Sequence, residues 1–144
     1  AMRDLCQSGY ALVIVTNQSG IARGYYSEAD FLTLTQTMRC HLETQGVILA
    51  GVYYCPHLAD ATVSEYGLEC ECRKPLPGMI FKAVSELKLD LTRSAMVGDK
   101  VSDMQAAQAA GIETCFHVTK GETAPGCISV ADLVSATARL LTTT

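Results

Sequence analysis

The chain of 144 residues has no long apolar run, no excess of positive charge, and no repeated or linker-like segment. No apolar run approaches the roughly 20 residues of a membrane-spanning helix. A net charge of −4 argues against a nucleic-acid or anionic-membrane surface. Without repeats or linkers, the length fits one domain with its own core. We therefore expect a monomer without nucleic-acid or membrane partners, in which any anionic ligand is held by a local group of donors.

The N-terminal residues also lack the ordered regions of a signal peptide, because Asp4, Gln7 and Ser8 interrupt the apolar residues. Seven cysteines are an odd number for a disulfide scaffold. Four of them lie scattered in apolar contexts, where a buried free thiol is the simpler interpretation: Cys6, Cys40, Cys115 and Cys127. Reduced cysteines predict a cytoplasmic protein.

What is present is an alternation of short apolar runs and helical patterns. Buried strands are predicted at 11–15, 51–54, 94–98 and 114–118. The predicted helix starts and ends are marked by Ser27 with Asp30, Pro77, Ser102, Gly111, and Ser129 with Asp132. The predicted inward faces are Phe31, Leu34, Met38 and Leu42, then Ile80, Phe81, Val84 and Leu87. This alternation predicts an α/β fold with a three-layer parallel sheet, whose ligands bind at the carboxyl ends of the strands.

Two polar segments follow predicted strands. Residues 16–24, "TNQSGIARG", offer hydrogen-bond donors that could cradle a phosphate, although an ordinary polar turn is the alternative: Thr16, Asn17, Gln18 and Ser19. Asp99 follows another buried strand, as a magnesium ligand would. Asp103 falls in the first turn of the next helix, so we expect it to support Asp99 rather than bind the ion.

A third group has the spacing of a zinc site. Cys55-x-His57, a loop at 58–69 and Cys70-x-Cys72 supply three thiolates and one imidazole, a complete tetrahedral shell. No position is left open, so the zinc would be structural; two unrelated cysteine pairs near a histidine are the alternative. His41 and His117 are isolated and are expected to be structural rather than ligands.

Arg73 and Lys74 follow the zinc spacing directly. An ion that ties the two ends of a polar loop would fix both cations before an anion arrives. Arginine suits bidentate phosphate recognition, and lysine acts as a compact charge. Pro75 and Pro77 stiffen the chain beyond them. The sequence therefore predicts a zinc-supported phosphate site.

Together these motifs resemble the haloacid dehalogenase superfamily of phosphotransferases. "VTNQ" is similar to its second motif, Lys74 to its third and "GDKVSD" to its fourth. "TNQSGIARG", "YYCPH…CECRKPLPGM" and "MVGDKVSDMQAA" resemble, more narrowly, its zinc-loop heptose-bisphosphate phosphatases. The resemblance covers nearly the whole chain and implies a Rossmann-like sheet without a large cap domain. It implies one domain at 1–144, with a zinc loop at 55–74.

The resemblance also implies an activity: magnesium-dependent removal of the C7 phosphate of a heptose 1,7-bisphosphate, towards ADP-heptose and the lipopolysaccharide core. Thr16 and Lys74 would stabilise the transferring phosphoryl group, and Asp99 would bind magnesium. The implied substrate contacts are Asn17, Gln18, Ser19, Arg73 and Lys100. Histidinol-phosphate phosphatases share the zinc loop but tend to lack the continuation at 19–24, so they rank second.

The superfamily's first motif, Asp-x-Asp-Gly-Thr, occurs nowhere in the sequence. In the superfamily it supplies the nucleophile and the general acid/base, and it lies on a central strand. Asp4, at a predicted helix end, cannot replace it. We therefore expect an N-terminally incomplete phosphatase without its nucleophile and first strand. The alternative is a zinc-stabilised sugar-phosphate-binding module without turnover.

Overall fold

A computed structural model describes residues 1–143. The helices are α1 (Met2–Gln7), α2 (Ser19–Ala22), α3 (Glu28–Thr44), α4 (Gly78–Leu87), α5 (Val101–Ala110) and α6 (Leu133–Thr142). The strands are β1 (Leu12–Asn17), β2 (Leu49–Cys55), β3 (Ala95–Gly98), β4 (Thr114–Val118) and β5 (Ile128–Val130). Short 3-10 helices lie at Ser64–Tyr66 and Leu91–Arg93. None of the described helices is both long and apolar enough to cross a membrane.

The described strands are all parallel, as the alternation predicts, but they form two sheets rather than the one predicted. β1 pairs with β2, and β4 lies between β3 and β5. The register places Asn17 beside Cys55 and Gly98 beside His117. The segments that follow β1, β2 and β3 are therefore at carboxyl ends of strands, where parallel α/β proteins bind their ligands.

Most of the predicted elements are confirmed. The four predicted strands coincide with β1 to β4 within two residues at each end. Ser27 and Asp30 form the expected capping box at the start of α3, each side chain accepting the other's backbone N–H. Gly111, with φ at +97°, ends α5 in the left-handed region. Asp132 caps α6 by accepting the N–H of Ser135.

Two of the predicted capping residues are wrong. Ser102 lies inside α5, because that helix begins directly after Lys100, where Asp103 accepts the Lys100 N–H. Ser129 lies in β5, a strand of three residues that is too short to show an alternating pattern. In both places a nearby aspartate, Asp103 or Asp132, bonds the backbone at the helix start instead.

The inward face of α3 was predicted only in part. Phe31 is buried, but Leu34 is 67% exposed. The helix meets β2 through its first turn, where the rings of Phe31 and Tyr54 lie 4.8 Å apart. Leu34 lies further along the helix and is not covered.

The inward face of α4 is rotated from the predicted one. Phe81 is 48% exposed, whereas Met79, Ile80 and Ala83 are buried. The start of the helix is held by a hydrogen bond from the Gly78 N–H to the carbonyl of Glu71. A Cβ at residue 78 would lie 2.3 Å from that carbonyl oxygen, so this close approach requires glycine.

The main core joins the two sheets. It lies between α4, α5 and β3, with Met104 and Cys115 almost fully buried, and Val15 of β1 packs against it. A smaller cluster around Phe116 packs under α6. β1 was predicted to be buried on both faces, but all six of its residues keep intermediate exposure, because β2 is the only strand paired with it among residues 1–143.

Candidate active site and metal centre

Cys55, His57, Cys70 and Cys72 lie together, as their spacing predicts, with their donor atoms within 4.8 Å of one another. Cys72 Sγ lies 3.4 Å from His57 Nδ1, and Cys55 Sγ lies 3.5 Å from Cys70 Sγ. The ligands of a tetrahedral zinc ion are spaced at roughly 3.5–3.8 Å. The closest pair, Cys55 and Cys72 at 2.7 Å, would open by about 1 Å around an ion. The donor set and its spacing fit zinc.

The three thiols do not ionise equally. Burial raises the pKa of Cys55, and burial with hydrogen bonds to Cys55 and Cys70 raises the pKa of Cys72. Burial opposes ionisation of Cys70, but hydrogen bonds from Cys72 and the Arg73 backbone lower its pKa to about 7. Only one thiolate is therefore favoured by the protein alone. A divalent cation would stabilise all three.

The loop at 58–69 is also tied to the fold through contacts that need no metal. Glu28, at the start of α3, accepts hydrogen bonds from the hydroxyls of Tyr54 (2.7 Å) and Tyr66 (3.0 Å). Burial, together with Glu28, raises the pKa of Tyr54 to about 12. At the tip of the loop, the N–H of Val63 donates to the carbonyl of Ala22 in α2. A metal ion at the cluster would thus close a loop that is already held at its side and tip.

Arg73 and Lys74 follow the cluster directly, as predicted. Arg73 is half-buried and donates from Nη1 to the carbonyl of His57 at 3.5 Å. A cavity of about 320 Å³ opens beside both cations and is also lined by Leu58 and Leu76. The cluster and the cationic pair therefore share one small concave surface.

Both the backbone and the ammonium of Lys74 are fixed by hydrogen bonds. Its backbone is bonded to the side chain of Asn17: the Lys74 N–H donates to Oδ1 at 3.0 Å, and Nδ2 donates to the Lys74 carbonyl at 3.2 Å. Its ammonium donates to the carbonyl of Val15 at 3.0 Å and to Asp103 Oδ1 at 2.6 Å. The bond to Pro75 is cis. Asn17 thereby positions Lys74, and its predicted substrate contact stays a prediction.

Asp103 connects Lys74 to the loop that follows β3. Its side chain is 7% exposed; one oxygen binds Lys74 and the other accepts the N–H of Lys100 at 3.0 Å. A Cβ at Gly98 would lie 2.6 Å from this carboxylate, so the end of β3 needs glycine there. Asp99 and Lys100 are exposed beside it. Asp103 therefore supports the loop, and the role of Asp99 as a metal ligand stays a prediction.

The polar loop after β1 is organised by its own side chains. Gln18 Nε2 donates to Thr16 Oγ1 at 2.9 Å, and the hydroxyl of Tyr26 donates to Gln18 Oε1. Ser19 begins α2. A Cβ at Gly20 would meet the Tyr26 ring at 2.3 Å, so the ring packs directly on this glycine. Thr16 and Gln18 are thus brought together beside Lys74, while the part of Ser19 in ligand binding stays a prediction.

Two contributors were missed from the sequence. Glu28 anchors the loop through tyrosines 26 and 38 positions away, a separation that leaves no local pattern. Tyr26 orients Gln18. The only sign of this in the sequence is Gly20, the glycine against which the Tyr26 ring packs. Neither residue type has a spacing that indicates chemistry.

Comparisons with known proteins agree with this geometry. A HAD-hydrolase-like family model matches residues 71–138. The Yersinia pestis D-glycero-beta-D-manno-heptose-1,7-bisphosphate 7-phosphatase is 54% identical over 122 residues, covering 85% of this chain and 65% of the relative. The Haemophilus influenzae protein of that name is 50% identical over 126 residues, covering 88% and 68%. The chain therefore spans less than two thirds of the Yersinia relative.

A solved structure shows the same architecture. The crystal structure of D,D-heptose 1,7-bisphosphate phosphatase from B. bronchiseptica, complexed with magnesium and phosphate, matches with a TM-score of 0.84. Its sequence is 30% identical, and the match covers 99% of this chain and 80% of that one. The two chains therefore share one fold over nearly the whole of this chain.

Proposed function

The chain belongs to the haloacid-dehalogenase-like phosphatases, and from this premise we propose that it forms the phosphate-binding part of a heptose-bisphosphate phosphatase. The substrate would be D-glycero-beta-D-manno-heptose 1,7-bisphosphate, losing its C7 phosphate towards ADP-heptose. The observation that carries the proposal is the fixed ammonium of Lys74, which is bonded to the carbonyl of Val15 in β1 and to Asp103 in the first turn of α5. Such a preset cation can stabilise the charge that develops on a transferring phosphoryl group.

The other residues of the proposed site have the following roles. Thr16 would donate to the phosphoryl group from the end of β1. Arg73 would bind a substrate phosphate through two parallel hydrogen bonds. The other proposed substrate contacts are Asn17, Gln18, Ser19 and Lys100. These donors compensate locally for a chain whose net charge is −4.

Two metals are part of the proposal. Asp99 would hold magnesium, with Asp103 supporting the loop, and magnesium would neutralise phosphoryl oxygens. The cluster of Cys55, His57, Cys70 and Cys72 would hold zinc. Since all four positions of a tetrahedral ion would be filled by protein, this zinc would be structural.

The nucleophile is not among the residues that this site assembles. Asp103 is occupied by Lys74 and Lys100, and Asp99 is the proposed ligand of the metal. Neither is positioned as a covalent acceptor, and the sequence has no Asp-x-Asp-Gly-Thr. We therefore expect the 144 residues to bind the sugar bisphosphate and to hydrolyse it at the background rate.

Calorimetry and phosphate release from the same preparation test this function. The chain should bind heptose 1,7-bisphosphate more tightly than histidinol phosphate, and Lys74→Ala should weaken that binding. A chain extended upstream to include Asp-x-Asp-Gly-Thr should show magnesium-dependent release. Robust release by the 144 residues would mean that the nucleophile has been misplaced. Binding without release in every extended version would favour a non-catalytic sugar-phosphate-binding module.

A further inference from the structure

His117 is a buried polar side chain that the proposed chemistry does not use. It lies on β4, is 4% exposed, and is paired in register with Gly98, the residue before Asp99. An isolated histidine in an apolar strand predicts no more than a structural role. Its contacts are more specific, because both ring nitrogens reach the loops at this edge of the sheet.

The bonds of Nδ1 determine where the ring carries its proton. Nδ1 lies 3.1 Å from the backbone nitrogen of Ala124 and 3.4 Å from Thr123 Oγ1. A backbone N–H can only donate, so Nδ1 accepts and carries no proton. The neutral ring then has its proton on Nε2, which lies 3.3 Å from the carbonyl oxygen of Asp99. His117 therefore donates to Asp99.

The same peptide group is held from its other end. The carbonyl of the Asp99–Lys100 peptide accepts from His117, and the N–H of this peptide donates to Asp103 Oδ2 at 3.0 Å. The Asp99 side chain itself is exposed. Its direction therefore depends on the orientation of the peptide that follows it.

We infer that His117 is a positioning residue that, with Asp103, clamps the Asp99–Lys100 peptide and so directs the Asp99 carboxylate. The clamp also joins the loop after β3 to the loop after β4 through one neutral ring. The consequence for metal affinity rests on the proposed function, in which Asp99 holds magnesium. The backbone clamp does not rest on it.

Nuclear magnetic resonance of the labelled 144-residue chain tests the clamp without any ligand. Long-range nitrogen–proton correlations should place the His117 proton on Nε2. His117→Asn keeps an acceptor near Nδ1 for Ala124 but cannot reach Asp99, whereas His117→Gln places an amide donor near Nε2. Exchange of the Lys100 amide should accelerate roughly three- to tenfold in His117→Asn and less in His117→Gln. Thr123→Val, which removes only the 3.4 Å contact, is the matched control.

Manganese titration, followed by electron paramagnetic resonance, adds the metal. His117→Asn should bind Mn²⁺ roughly three- to tenfold more weakly than the parent chain, with His117→Gln between them. A proton on Nδ1, or equal acceleration of Lys100 exchange in both variants, would overturn the inference. Faster exchange of the Lys100 amide with unchanged Mn²⁺ binding would overturn the inferred effect on the Asp99 carboxylate. If the parent chain binds no Mn²⁺ while the exchange pattern holds, the clamp stands and the proposed metal site fails. Should His117→Asn not fold, the proton position and the His117→Gln exchange still decide.

Discussion

The two halves of the site differ in how their charges are balanced. At the cysteine–histidine cluster, the protein by itself favours one thiolate among three thiols, so the arrangement is completed only by a cation. At Lys74 the ammonium already has a buried carboxylate and a backbone carbonyl as partners. The charges of the cluster would be balanced only by a bound cation, whereas the charge of Lys74 is balanced before any ligand arrives. Substitutions at the cluster should therefore weaken ligand binding, whereas substitutions at Lys74 should lower stability even without a ligand.

The largest effect is expected at the cluster. Cys70→Ser removes one of four donors and should lower zinc affinity by at least roughly a hundredfold, because the shell no longer closes. The loop should loosen and sugar-bisphosphate binding should weaken, while α5 and α6 stay folded. Zinc content by mass spectrometry and calorimetry measures this. Cys40→Ser, at an exposed cysteine on α3, is the control. Zinc-free protein purified without chelators would contradict the assignment.

At Lys74 a substitution should lower the free energy of unfolding even when no ligand is bound. Lys74→Met leaves the Asp103 carboxylate buried without its counter-ion, which should cost about 3 kcal/mol of unfolding free energy. Adding Asp103→Asn removes that buried charge while keeping an acceptor for the Lys100 N–H, so the double variant should recover much of the loss. Urea unfolding measures the unfolding free energy of both variants. Equal stabilities would show that the pair is not the balancing element.

Arg73 lies between the two halves and should respond more modestly. Arg73→Lys keeps the charge but loses the fork that binds phosphate through two bonds, so affinity for the sugar bisphosphate should fall about fivefold. Calorimetry measures the change, with Arg93→Lys, at an exposed arginine away from the site, as the control. Affinities that match the parent chain would remove Arg73 from the proposed contacts.

The smallest effect is expected at the tie that needs no metal. Tyr66→Phe removes one of the two hydroxyls from which Glu28 accepts a hydrogen bond. The amide hydrogens of the loop at 58–69 should therefore exchange faster when zinc is absent. With zinc bound, the difference should largely disappear because the cluster closes the loop. Hydrogen exchange by mass spectrometry compares the two states, and Tyr25→Phe, at a 76% exposed tyrosine, is the control. An equal change in amide exchange with and without zinc would show that the Tyr66–Glu28 hydrogen bond and the cluster hold the loop independently.

The sequence predicted the cluster and the strands well because their signals are local. Cys55, His57, Cys70 and Cys72 carry a fixed spacing, and each predicted strand is a short, mainly apolar run. The helix faces were predicted less well. Leu34 and Phe81 have helical spacing from true core residues, but neighbouring elements decide which part of a helix is covered.

Contacts across the chain could not be predicted. The Asn17–Lys74 and Lys74–Asp103 bonds join residues 57 and 29 positions apart, and no periodicity encodes such pairs. His117 was predicted to be merely structural, since its two loop partners become visible only once β3 and β4 are paired. The chemistry-bearing residue types were evident from the sequence, whereas the residues that orient them were not.

The bond from Val63 to Ala22 makes the tip of the metal-closed loop rest on the short helix beyond the phosphate loop. Zinc at one end and phosphate at the other would therefore restrict the same stretch of chain. Whichever ligand binds first removes conformational freedom that the second no longer has to remove. If both ligands bind as proposed, the two affinities would be linked: zinc would strengthen phosphate binding by some factor, and phosphate would strengthen zinc binding by that same factor.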